Sequence, residues 1–74
     1  MVKTLKELKK LYPSKISTSG NIYIVDGFGR YRQRVTRFGI ETYVEKMSFL
    51  GCETYWSRTS FENLVKEIEI AYNK

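Results

Sequence analysis

Leu5, Leu8, Leu11 and Tyr12 fall at i, i+3, i+6 and i+7, one apolar stripe of a helix over residues 4–12. Thr4 stands where an N-cap would, with Glu7 three positions on, the spacing of a capping box. Lys6, Lys9 and Lys10 lie off the stripe, in solvent. Pro13 ends the helix, and residues 14–20 read as a polar loop. The period then changes from helical to alternating. Residues 21–26 hold Ile22, Tyr23, Ile24 and Val25 between Gly20 and Gly27, the composition of a strand. Residues 30–38 alternate, with Tyr31 and Val35 opposite in parity to Arg32 and Arg34. Across the Gly27-Phe28-Gly29 turn the two segments predict an antiparallel hairpin.

Residues 40–50 are ambiguous between helix and strand. Ile40, Tyr43, Val44, Met47 and Leu50 fit a helix with Gly51 at its C′ position, and this is the favoured reading. Thr42, Tyr43 and Val44 suit a third strand equally in composition. Tyr55 and Trp56 suggest a short strand over 53–57. The last segment is the clearest: Phe61, Leu64, Val65, Ile68, Ala71 and Tyr72 line one face of a helix over about 60–72. Ser57, Thr59 and Ser60 offer N-cap oxygens, and Glu62 lies in the first turn. The expected fold is α+β in a single domain: a short N-terminal helix, a hairpin or small sheet, and a C-terminal amphipathic helix packed on that sheet. The expected core is Leu5, Leu8, Leu11, Ile22, Ile24, Val35, Val44, Met47, Trp56, Phe61, Leu64, Val65 and Ile68.

Composition narrows the chemistry. In 74 residues, 42% hydrophobic content supports a packed core but leaves little room for a deep cleft beside it. Histidine is absent, which removes the usual general base, the partner of a Ser or Cys nucleophile and the commonest metal ligand. A single cysteine, Cys52, excludes an intrachain disulfide and leaves no ligand set for structural zinc. It reads as a buried, inert thiol in a reducing compartment, the cytoplasm. Asp26, Glu41, Glu45 and Glu53 are scattered rather than clustered for a divalent ion. Gly27-x-Gly29 lacks the third glycine of a dinucleotide loop, Arg32 standing in its place. The expectation is a non-enzymatic protein with no cofactor and no metal. No run approaches the ~20 apolar residues of a membrane span, and the N-terminal residues lack the apolar run of a secretory signal.

Charge supplies the positive signal. Thirteen Lys and Arg against eight Asp and Glu give +5, which favours an anionic partner. Arg30, Arg32 and Arg34 share one parity, so a regular strand projects all three from one face about 7 Å apart. Guanidinium forks bond phosphate in pairs, and the first strand of the hairpin offers only Asp26 to neutralise them. Arg37 falls on the opposite parity, and Lys15 lies in the preceding loop; both are expected at the rim. Tyr23, Phe28, Tyr31 and Phe38 interleave with these charges. Tyr31 shares the parity of Val35 and is expected in the core, whereas Phe28, at the turn between two glycines, is expected to be exposed and able to wedge between bases or seat in a partner's pocket. Glu62, Glu67 and Glu69 on the last helix oppose the basic hairpin in sign, so one side would bind a polyanion and the other repel it. The same polarity allows two copies to pair as a homodimer.

Ile22-Tyr23-Ile24 and Gly27-Phe28-Gly29 are too close together to be the two aromatic patches of an RNA-recognition motif. A hairpin followed by a C-terminal helix is similar in outline, over about two-thirds of the chain, to small sheet-based DNA readers such as the arm-binding domains of phage integrases. A composition rich in Lys, Ile, Tyr and Glu with one Ala suggests an AT-rich genome and a phage or mobile-element protein. Two functions follow as expectations. One is nucleic-acid binding, in an accessory or regulatory role, through Arg30, Arg32 and Arg34. The other is docking on an acidic protein surface, as a modulator of a host protein.

Overall fold

A computed structural model describes residues 2–51 and 53–72. Seven elements follow in order: α1 (Leu5–Leu11), β1 (Ile16–Ser19), β2 (Ile22–Val25), β3 (Gly29–Thr36), β4 (Gly39–Met47), β5 (Thr54–Thr59) and α2 (Phe61–Tyr72). The five strands form one antiparallel meander in sequence order. The expected α+β architecture is therefore present, on a sheet larger than the hairpin.

Each helix begins where its capping residues dictate. Thr4 accepts the Glu7 amide at 3.2 Å, and its hydroxyl meets the Glu7 carboxylate at 3.4 Å. Ser60 does the same for α2, accepting the Asn63 amide at 3.3 Å. The turns are equally local. Ser19 faces Ile22 across Gly20-Asn21, with Gly20 at φ 62°, the glycine-first geometry of a two-residue hairpin turn.

Both helices cover one face of the sheet. Leu5 and Leu8 of α1, Leu64 and Ile68 of α2, and Ile16, Val25 and Tyr31 of the strands form the buried cluster. Tyr23, Val44, Phe61, Val65 and Tyr72 pack around it. The register explains the choice of strand residues: Ile16 faces Val25, and Tyr23, Tyr31 and Val44 lie across from one another on β2, β3 and β4. Among them Thr42 is buried and polar, and Gln33 satisfies it by donating to its hydroxyl at 3.0 Å. The smallest dimension of the molecule, 22 Å, is about one helix layer plus one sheet. Among the described residues no helix lies over the opposite face of the sheet.

Several sequence expectations change. Residues 40–50, read as a helix, form the strand β4, and Gly51 lies in the β4–β5 loop instead of capping a helix. The apolar residues there have helical spacing, and pairing with β3 and β5 on either side overrides it in favour of the strand. The polar loop 14–20 contains β1, whose one apolar residue, Ile16, is fully buried. Leu11, Ile24, Val35 and Met47, expected in the core, are exposed, while Ile22 and Trp56 are only half-buried. Ile22, Ile24, Met47 and Trp56 have the parity of the bare face, Leu11 lies in the last turn of α1, and Val35 lies near the end of β3. Cys52 falls outside the described residues.

Candidate functional site

The bare face is built by parity. Because Tyr31 and Gln33 point to the helices, Arg30, Arg32 and Arg34 of β3 point away from them. The register sets Arg32 opposite Tyr43 and Tyr43 opposite Arg58, and sets Arg34 opposite Glu41. Glu45 faces Trp56. One surface thus holds four arginines, two glutamates, a tyrosine and a tryptophan, drawn from three adjacent strands.

Pairing within that surface corrects the expectation that Arg30, Arg32 and Arg34 have too few carboxylates near them. Arg30 Nη1 lies 3.6 Å from Glu45 Oε1. Glu41 serves two partners, with Arg34 at 3.3 Å and Arg58 at 3.3 Å. Tyr43 donates its phenol proton to Glu41 at 2.6 Å. That hydrogen bond first, and then the charges of Arg58 and Arg34, hold the Glu41 carboxyl below its ordinary range, although burial acts the other way. Both glutamates come from β4, so reading β4 as a helix hid them.

Arg32 is different. Among the described residues no carboxylate lies within 4 Å of it. Its guanidinium lies over the Trp56 ring instead, 4.7 Å from the centroid. Beside it opens a cleft of about 610 Å³, lined by Thr4, Lys6, Gly20, Asn21 and Gln33 together with Tyr23, Arg32, Arg34, Tyr43 and Trp56. The cleft arises because β2 pairs with β3 only over Gly29–Tyr31, leaving the rest of β3 open on that side. Lys6, Arg32 and Arg34, its charged lining residues, are all cationic. Such a volume admits a nucleotide-sized ligand, and the lining offers positive charge, aromatic faces and amide donors.

The remaining expected site residues lie elsewhere. Arg37 is in the two-residue turn between Thr36 and Gly39, beyond the end of β3, and exposed. Lys15 sits over the Tyr72 ring at 5.6 Å, at the junction of α1 and β1. Phe28 is not the exposed ring expected: it is half-buried and packs edge-on against Tyr72 at 5.9 Å. The helix layer is not acidic either. Lys6, Lys9, Lys10 and Lys66 balance Glu7, Glu62, Glu67 and Glu69 over α1 and α2. The basic excess of the bare face therefore has a neutral layer behind it. Sequence reasoning missed Trp56, Tyr43, Arg58 and Lys6. The alternation of Trp56 and Arg58 was the available signal for two of them.

Among the described residues no helix is long and apolar enough to cross a membrane. Comparison with protein-family models, with curated proteins and with solved structures finds no match.

Proposed function

We propose that this chain is a small non-enzymatic protein that binds nucleic acid, single strands in particular, through the bare face of its sheet. The observation that supports the reading is Arg32, held over Trp56 without a carboxylate and beside a cleft whose charged lining is cationic. Aromatic faces interleaved with guanidinium groups suit bases that stack and phosphates that track past them. Arg32, Arg34, Arg58 and Lys6 contact phosphate, while Trp56 and Tyr43 offer their rings to bases. The ion pairs on Arg30 and Arg34 reduce the charge of the face without closing it. Both guanidinium groups remain well exposed, and exposed ion pairs contribute little to stability, so phosphate can displace their carboxylates. The accessory or regulatory role, of phage or mobile-element type, is part of this proposal.

Trp56 is the one tryptophan of the chain, so its fluorescence reports on this face. Titration with an oligothymidylate should quench it. The binding constant should fall with salt at a log–log slope of about 0.7 per phosphate contacted. Arg32→Ala should reduce both the affinity and the slope. Unchanged Trp56 emission with single-stranded DNA and RNA at low salt would remove the proposal.

A second reading, docking on an acidic protein surface, is favoured by one feature. Met47, Phe49 and Tyr55 expose apolar surface at the far end of β4 and β5, where a polyanion would leave it in water. Recovery of one protein partner that persists after nuclease treatment would select that reading.

A further inference from the structure

The β3–β4 hairpin outruns its neighbours. The last β2–β3 pair is Tyr23 with Tyr31, and the last β4–β5 pair is Thr42 with Thr59. The three pairs beyond them (Arg34 with Glu41, Val35 with Ile40, and Thr36 with Gly39) have strand neighbours only within the hairpin. The apolar side chains of this arm are poorly covered. Val35 and Ile40 have the parity that faces the core lower down, yet Val35 is 81% exposed and Ile40 41%. At the tip Phe38 is 92% exposed. The tip itself is well formed: the Thr36 hydroxyl accepts the Phe38 amide and donates to the Gly39 carbonyl. A ribbon whose outer residues Val35 and Phe38 are exposed, ending in a presented ring, adds little to the buried cluster.

Charge and continuity identify the occupant. Arg34 belongs both to the bare face and to the base of the arm, and Arg37 stands next to Phe38 with no carboxylate within 4 Å among the described residues. We infer that the arm extends the nucleic-acid track: Phe38 stacks on a base and Arg37 holds the adjoining phosphate of the strand seated on the bare face. This inference rests on the nucleic-acid reading of that face. From the Glu45–Trp56 row to Gly39 is six residues of strand, about 20 Å. A short oligonucleotide at Trp56 therefore stops before the tip, and a long one reaches it.

Chain length separates the two claims. Binding of oligothymidylates of about three and about twelve nucleotides is followed through Trp56 quenching. Phe38→Ala should weaken the long oligonucleotide about five-fold or more and leave the short one unchanged; Phe38→Tyr should restore the long one. Arg37→Ala should lower the salt slope by about one contact for the long oligonucleotide alone. If Arg32→Ala weakens both lengths while Phe38→Ala weakens neither, the face binds and the arm proposal fails. If the wild-type protein binds neither length, the reading of the face fails and the arm falls with it. Concentration-dependent dimerisation abolished by Phe38→Ala would instead assign the tip to a second copy and overturn the proposal.

Discussion

Gln33 accepts the amide proton of Leu5 on its Oε1 at 2.7 Å, fastening the first turn of α1 to the middle strand of the sheet. The same side chain donates to the buried Thr42 hydroxyl at 3.0 Å. A free amide at a helix start and a buried hydroxyl on β4 are thus satisfied by one residue. Gln33→Leu would leave both without their partner. The expected loss is ~1–3 kcal/mol, read as a lower urea midpoint at unchanged slope.

Glu41 restrains the bare face. It is paired with Arg34 and Arg58 and accepts from Tyr43, so it is the residue that most reduces the local positive charge. Glu41→Gln keeps the shape of the side chain and frees both guanidinium groups. Affinity for a long oligothymidylate should rise several-fold, with a salt slope steeper by about one contact. A matching loss of affinity would mean that Glu41 positions the arginines instead of competing for them.

How far the fold was legible depended on whether spacing and composition agreed within a segment. The α2 stripe had only the helical period, and its Leu64 and Ile68 are buried as expected. The segment 40–50 set helical spacing against the strand-forming residues Thr42, Tyr43 and Val44, and the pairing that resolves it is contributed by β3 and β5, which local spacing cannot register. The strand β1 was missed because three of its four residues are Ser or Thr, although Gly20-Asn21 is itself a hairpin signal. On the site, the alternation of Arg30, Arg32 and Arg34 was readable. Their carboxylate partners on β4 and the ring beneath Arg32 on β5 were not, because cross-strand neighbours depend on register.

Burial also distinguishes residues that look equivalent in the linear pattern. Leu11 continues the stripe of Leu5 and Leu8 but lies in the last turn of α1 and is 61% exposed. Leu11→Ala should change stability by less than about 0.5 kcal/mol. Ile68 is fully buried, and Ile68→Ala should remove ~2–5 kcal/mol. A domain of this length has about 4–11 kcal/mol in total, so a substantial unfolded fraction of the Ile68 variant at 37 °C is expected by circular dichroism. Equal effects at the two positions would contradict the placement of α1.

The pH dependence of stability follows from four groups with displaced pKa values, and its two limbs have opposite signs. Glu41 titrates below its ordinary range, so its contribution is present above that range and is lost as pH falls through the depressed value. Tyr31, Tyr43 and Tyr72 titrate above the usual phenol value of 10.0. Burial and then Glu67 raise Tyr31, the hydrogen bond to Glu41 leads for Tyr43, and burial followed by Asp26 raises Tyr72. Their contributions are present below that value and are lost as pH rises through the folded-state values. With no histidine in the chain, no imidazole titrates between the limbs. Tyr31 belongs to the buried cluster, and its ionisation puts a charge there with the Glu67 carboxylate near it. Urea midpoints taken at each pH should fall above about pH 10 for the wild type. Tyr31→Phe removes one of the three phenols, and its midpoint should fall less steeply there. Identical alkaline limbs would mean that the core tolerates the phenolate.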